Sequence, residues 1–382
     1  MDINQLKQHT FIVIGYEHYN PLGVIRSLGE MSIKPVAIIR RGEFGFASKS
    51  RYISKLYIVD SIEEGYNILL KNYSNEKLKP VILTTDDQIT SFLDKHYEEL
   101  KDKFIFYNAG ANGRITKYMN KNSINELAVK HGLKIAKSWN VKNGEIPEDI
   151  EYPVMTKAII STINNWKDEV HICNNEEELK NAYKQIDSEE ILLQKYIVKK
   201  NELCIDGYSI DKGKQVFYAI ASNYNNIKKD AYSNYMKVKN CDFPELEKKL
   251  SEMFEEIHFE GIFSIEFLIG QDDEYYFLEI NFRNSTWSWA STKAGMNLPI
   301  LWSKSMIDGK MLEDSYKEFK PFNAMAEFND YKDRVKTKQI SKLKWIKQLF
   351  GCRCLYFWDV KDPSPVFARI RHKIIKKLKG DK

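Results

Sequence analysis

Thr10 to Ile14 form a short apolar run that ends at Gly15, and a polar loop separates it from helically spaced apolar positions between Leu22 and Met31. Pro35-Val-Ala-Ile-Ile39 then reads as a second strand. Strand, loop, helix and strand in that order predict a βαβ unit with a parallel sheet. Apolar runs at Leu56–Val59, Pro80–Leu83 and Phe104–Phe106, with helical patterns between them, extend it into one open α/β domain. Gly15 and Gly23 do not make a GxGxxG fingerprint, so this sheet gives weak support to dinucleotide binding.

Beyond it the pattern changes. Ile115 to Gly132 is helical, and Tyr152-Pro-Val-Met-Thr-Lys157 opens a new set of strands. Ile191–Ile197, Leu203–Ile210 and Val216–Ser222 continue the set, and Pro244–His258 is a charged helix. Ile262–Ile269 is expected to pair with Tyr275–Ile280 across the turn Gly270-Gln-Asp-Asp. The middle of the chain is therefore α+β with antiparallel strands. Lys228 to Asn240 reads as a loop without a recognisable signature.

A chain of 382 residues with 43% hydrophobic and 13% aromatic residues has the composition of two or three globular domains. Five cysteines at scattered spacings suggest a reducing compartment rather than a disulfide framework. None of the seven histidines has a partner at zinc-ligand spacing. The polar start MDINQLKQHTFIVIG lacks the apolar core of a signal peptide, so a cytoplasmic protein without a nucleic-acid partner is expected. The net charge of +5 is concentrated towards the C-terminus. There Phe367, Ile370, Ile374, Ile375 and Leu378 recur at helical spacing among Arg369, Arg371, Lys373, Lys376, Lys377 and Lys379. Such a basic amphipathic helix suits either an anionic membrane surface or docking on the body through its apolar stripe.

The chemistry is concentrated in EYYFLEINFRNSTWSWASTKAGMNLP. Alternate residues of a strand share a face, so Glu279, Asn281 and Arg283 line one surface while Ile280 and Phe282 turn to the other. A carboxylate and an amide oxygen are hard ligands for magnesium, and a neighbouring guanidinium suits phosphate oxygens. A half-exposed amphipathic strand with an ion pair fits the same residues. Glu266, across the turn in FSIEFLIG, adds a second carboxylate to the groove if the strands pair. Lys157 ends an apolar strand, where an inward ammonium needs an anionic partner. Trp287 and Trp289 suit a core or a substrate-pocket wall equally.

The order YPVMTKA, ILLQKYIVKKNELCIDG, GIFSIEFLIG, YFLEINFR resembles the ATP-grasp superfamily in its carboxylate–amine ligase branch. INFRNSTWSWASTKAGMNLP is similar to the segment that follows the metal-binding asparagine in carbamoyl-phosphate synthase large chains and in D-aspartate ligases. The resemblance covers about residues 10–305. It implies a parallel-sheet pre-ATP-grasp domain over residues 1–112 and ATP-grasp subdomains over 113–198 and 199–325, with a C-terminal extension over 326–382. It implies ATP with magnesium, or manganese, as the cofactor. Lys157 would meet the α- and β-phosphates, and Gln194, Lys195, Tyr196 and Ile197 would hold adenine. Glu202 would take the ribose hydroxyls, and Lys121, in preference to Lys117, would stand near the base. Glu266, Glu279 and Asn281 would hold the metal, and Arg283 would stabilise the transferred phosphoryl group.

The sequence departs from the family pattern after Lys157, where KAIISTINNWKDEVHIC replaces a glycine-rich phosphate loop. Ser161, Thr162 and Lys167 are the available substitutes there. The resemblance implies a ligase that joins a small carboxylate to an amine through an acyl phosphate, with a cell-envelope or polysaccharide precursor as an acceptor. The alternatives are a nucleotide-binding module without turnover and carboxyphosphate chemistry. A homodimer is a further expectation.

Overall fold

A computed structural model describes residues 3–42, 45–158, 170–228, 232–312 and 315–378, without the side chains of Lys157, Ala158, Lys376 and Lys377. Lys167, Ser161 and Thr162 lie outside the described residues. The first sheet contains β1 (Phe11–Tyr16), β2 (Val36–Arg40), β3 (Lys55–Val59) and β4 (Val81–Thr84), all parallel, in the order β3-β2-β1-β4. Phe11 and Val13 of β1 enter one hydrophobic cluster and Ile12 and Ile14 another, because βαβ crossovers cover both faces of the sheet. Phe104–Phe106 differs from the expected strand, since Ile105 makes a single parallel bridge to Val81. The strand order reverses between β1 and β4, the place where open α/β sheets leave a crevice at their carboxyl ends. Gly15 is needed there, because a Cβ on it would stand 2.0 Å from Thr85 Oγ1.

Ile115 to Gly132 forms two helices, Arg114–Met119 and Lys121–Lys130, separated by Asn120, which caps the second. The second sheet holds β5 (Ser138–Lys142), β6 (Val154–Ala158), β7 (Ile172–Cys173) and β8 (Glu190–Lys195) in the antiparallel order β5-β8-β6-β7. The third is larger, with β9 (Lys199–Ile210), β10 (Gln215–Tyr224), β11 (Tyr235–Lys239), β12 (Gly261–Gly270), β13 (Tyr275–Asn281), β14 (Phe322–Met325) and β15 (Cys352–Leu355). Its order is β13-β12-β9-β10-β11-β14-β15. β11 lies within the segment 228–240 expected to be a loop, and it gains its ladder from β10 and β14, which are distant in sequence. Trp287 and Trp289 are core residues, buried against Tyr356 and Gly23 respectively. Among the described residues no helix is long and apolar enough to cross a membrane.

The C-terminal residues are built into this body. β15 adds a parallel edge to β14, and Asp362 reaches the buried Arg26 of the first domain. Arg26 Nε lies 3.1 Å from Asp362 Oδ2, Nη1 donates to the Tyr356 carbonyl, and Nη2 donates to the carbonyls of Phe357 and Asp362. The tail helix, Ser364–Leu378, then packs in the opposite sense to its expected docking. Phe367, Ile370, Ile374 and Leu378 are exposed, whereas Val366 is buried and the Arg369 guanidinium lies 4.7 Å from the Phe46 ring and 4.5 Å from that of Phe328. Docking through the apolar stripe is therefore corrected. Aromatic faces on the body attract the half-buried Arg369, and so hold its side of the helix against the body.

Removing one partner of a buried pair strands the other charge, so Asp362→Ala should cost about 3–5 kcal/mol in urea unfolding. A loss below about 1 kcal/mol would mean that Arg26 has found another counterion.

Candidate functional site

β12 and β13 pair so that Glu266 stands directly opposite Glu279 and Ser264 opposite Asn281. The register shifts just beyond, where Phe267 meets Phe277, so Leu278 is the extra residue of a bulge. Both carboxylates consequently face one groove. Asn281 Nδ2 lies 3.1 Å from Glu266 Oε1 and 3.5 Å from Glu279 Oε1, and Arg283 Nη2 donates to Asn281 Oδ1 over 2.8 Å. Amide nitrogen and oxygen exchange places in a half-turn, so Asn281 can present either group to the acids.

Burial, then Glu279, then Glu202 push the Glu266 carboxyl from its ordinary 4.5 up to about 8. Tyr232, across the groove, is raised chiefly by Glu266. The groove thus carries more negative charge than the protein neutralises, which fits a divalent cation. Among the described residues no set of three or more His, Cys, Asp or Glu closes a metal cage. Two carboxylates and an amide form an open set that leaves positions for water and phosphate oxygens.

A cavity of about 180 Å³ lies between the second and third sheets, lined by Lys121, Gln194, Lys195, Tyr196, Ile197 and Lys199 among others. Chain continuity explains this wall, since β8 ends at Lys195 and β9 begins at Lys199. Lys195 is fixed by donating from Nζ to the Tyr152 carbonyl over 2.7 Å. A second cavity of about 240 Å³ adjoins, lined by Asp87, Glu279 and Asn281, and it shares Lys121 and Leu278 with the first. Through these two shared residues the cavities run from Gln194–Ile197 to Glu279 and Asn281. Glu202 stands behind this wall, with its Oε1 2.6 Å from Lys199 Nζ. Lys157 has its backbone in β6 opposite Leu192, and its side chain lies outside the described residues.

Arg283 is held by a residue that pattern reading missed. Asp87 accepts from Nε and Nη2, each over 2.8 Å, and so reaches the row from the start of the helix Asp87–Lys95 in the first domain. Asp86 caps that helix, so the adjacent second acid in TTDDQIT was the available signal for Asp87. Asn20 ties the same domains together by donating to the carbonyls of Thr85 and Asn284 over 3.0 and 2.8 Å. His18 faces Arg283, and burial followed by that charge lowers it from 6.5 to about 4, so it is neutral at physiological pH. Beneath the row, Asp206 is fully buried and accepts from Ser285 Oγ over 2.7 Å.

A cation ligated by Glu266 would have to displace the proton that burial, Glu279 and Glu202 favour there. Calorimetry of magnesium–ADP binding at pH 7 in buffers of different ionisation enthalpy should show release of about one proton, with affinity rising up to pH 8. Buffer-independent heats would remove Glu266 from the cation's ligands. In the cation-free protein the raised carboxyl contributes its full stability below 4.5 and loses it progressively as pH rises to about 8.

A sequence model of the carbamoyl-phosphate synthase L chain, ATP binding domain, matches residues 117–307, half of the chain. The fold is similar to that of N5-carboxyaminoimidazole synthetase from Staphylococcus aureus, at 17% identity and TM-score 0.64 over 86% of this chain and 85% of the other. L-amino acid ligase from Bacillus licheniformis gives 14% identity and TM-score 0.62, with 85% of each chain covered. The biotin carboxylase domain dimer of Hydrogenobacter thermophilus 2-oxoglutarate carboxylase, solved with magnesium ADP and bicarbonate, gives 16% and 0.60 over 83% of this chain and 74% of the other. A search of the curated proteins finds no significant match. With the matched segment holding the acid row, the first cavity and all of the second but Asp87, the chain belongs to the family of the carbamoyl-phosphate synthase L chain ATP-binding domain, within the ATP-grasp superfamily of ATP-dependent carboxylate–amine ligases.

Proposed function

We propose that this chain joins a small carboxylate to an amine, forming an amide by way of an acyl phosphate. The observation that supports it most is the path of two cavities sharing Lys121, which leads from the hinge at Gln194–Ile197 to Glu279 and Asn281. On this reading adenine lies against the hinge with Lys121 near it, and Glu202, paired with Lys199, takes the ribose hydroxyls. Lys157 and Lys167 are proposed to face the phosphates. A substrate carboxylate oxygen attacks the γ-phosphorus and ADP leaves. The amine nitrogen then attacks the acyl carbon, loses a proton, and inorganic phosphate departs. Arg283 orients the transferred phosphoryl group, and Asp87 fixes the guanidinium so that little is reorganised during transfer. Magnesium, or manganese, held by Glu266, Glu279 and Asn281 would neutralise phosphate charge.

By analogy with the family, the carboxylate or amine is an amino acid, and the acceptor a cell-envelope or polysaccharide precursor. The domain divisions proposed with this reading are residues 1–112, 113–198, 199–325 and 326–382. The protein would work in the cytoplasm, against a membrane. The exposed stripe Phe367, Ile370, Ile374 and Leu378 lies on the same helix as exposed Arg371, an arrangement complementary to an anionic lipid surface.

Glu279→Gln should lower amine-dependent phosphate release about a hundredfold or more with the fold unchanged, as loss of one electrostatic stabiliser does. Retention of more than about half the activity at saturating magnesium would exclude Glu279 as a ligand. ATP turnover without amine-dependent product across mixtures of carboxylates and amines would overturn the ligase reading. For the stripe, the full chain should float with phosphatidylserine vesicles at low salt, and Ile370→Glu/Ile374→Glu should abolish flotation. Failure of the full chain to float overturns the lipid reading, and a dimer lost in the same variant would identify the stripe as a contact between two copies.

A further inference from the structure

His18 occupies the bend between β1 and the helix Tyr19–Glu30, at the strand-order reversal where an open α/β sheet leaves its crevice. It is the N-cap of that helix: its backbone is extended, and Nδ1 accepts from the Asn20 N–H over 3.3 Å. A cap needs one acceptor, and at other helices Asp86 and Asn120 supply it from a shorter side chain. The imidazole brings a second nitrogen. Nε2 makes no hydrogen bond among the described residues, and it is not shut off from solvent as His171 Nε2 is.

The surroundings place this side chain beside Arg283. The Asn284 carbonyl accepts from Asn20 Nδ2 over 2.8 Å and from Arg283 Nη1 over 3.3 Å, so the segment that His18 opens and the guanidinium meet on one oxygen. The ring packs against Tyr19 with centroids 4.0 Å apart, and Tyr19 in turn meets Thr286 of the loop after Arg283. His18 and Tyr19 line a cavity of about 500 Å³ whose lining shares no residue with the two nucleotide cavities. Burial followed by the Arg283 charge lowers His18 to about 4, so the ring is neutral at pH 7. A neutral imidazole has one N–H and one lone pair, and the cap takes the lone pair at Nδ1. The proton is therefore on Nε2, which makes His18 a hydrogen-bond donor and not a base. A neutral donor suits this place, where a second cation beside Arg283 would be repelled.

We propose that His18 is a catalytic residue of the ligation, donating from Nε2 to one oxygen of the substrate carboxylate while Arg283 holds the phosphoryl group transferred to the other. This role rests on the ligase reading. When the amine attacks the acyl phosphate, its lone pair forms the C–N bond and the carbonyl π pair moves onto the oxygen that His18 contacts. Nε2–H stabilises that oxyanion and keeps its own proton. The pair then returns to carbon, and the bond from carbon to the phosphate oxygen breaks with its electrons on phosphate. Phosphate takes the proton that the amine loses.

The full chain is assayed for amide and ADP over mixtures of carboxylates and amines with magnesium–ATP. His18→Asn keeps a cap acceptor but has no donor at the reach of Nε2. It should lower kcat for amide formation about a hundredfold, as loss of one oxyanion donor does, with the KM for ATP and the Tm unchanged. His18→Gln, whose amide nitrogen reaches about as far as Nε2, should restore about tenfold of that loss although it caps poorly. Capping alone would give the reverse order, with Asn as active as the parent and Gln the less stable. Nitrogen NMR of histidine-labelled protein reads the tautomer without substrates, and His18 at pH 7 should carry its proton on Nε2. A proton on Nδ1, or a His18→Asn variant that turns over as the parent does, overturns this role and leaves the ligase reading standing. A parent that forms no amide from any mixture overturns the ligase reading and this role with it.

Discussion

Like charges in a groove shielded from water repel strongly, and the pairing of β12 with β13 sets two carboxylates directly against each other. Glu202 adds a third charge from β9. Nothing in hydrophobic packing asks for this arrangement, and a folded chain tolerates it by keeping a proton on Glu266, by hydrogen bonds from Asn281, or by a cation. The bulge at Leu278 keeps Glu279 in register with Glu266 while Leu278 itself lines both cavities. One backbone irregularity therefore couples the acids to the cavity wall.

The first domain enters the site through Asp87, whose bidentate grip on Arg283 fixes a side chain carried by the third sheet. Asn20 and Gly15 belong to the same joint. Gly15 admits Thr85 to the end of β1, and the Thr85 carbonyl shares with that of Asn284 the Asn20 amide. A polar contact buried between two domains is costly to leave unsatisfied, so this joint holds the two halves in one relative position. The reacting groups are thereby positioned by the scaffold rather than by their own strand alone.

The C-terminal residues follow a different logic. Arg26 and Asp362 form a buried pair with nearly every polar atom engaged, and that pair holds the start of the tail against the first domain. Aromatic rings of Phe46, Phe328 and Phe357 then attract Arg369, and an amphipathic helix ends with its apolar stripe outward. Periodicity establishes that a helix has two faces, but which face meets the body depends on the surface it meets.

Local rules determined the βαβ start, the two-strand hairpin and the row Glu279, Asn281, Arg283, because each is a period read over a few neighbouring residues. Glu266 was legible for the same reason, being one tight turn away. Asp87 and His18 were not, since their roles arise from a contact between sheets far apart in sequence. Phe104–Phe106 has a strand's composition but only one bridge, and β11 has a loop's composition but two partners, so in both the ladder was decided by neighbouring strands. The sequence by itself determined which residues carry charge and with what period. Only the tertiary structure decided which charges meet, because proximity between distant segments is set by packing rather than by spacing along the chain.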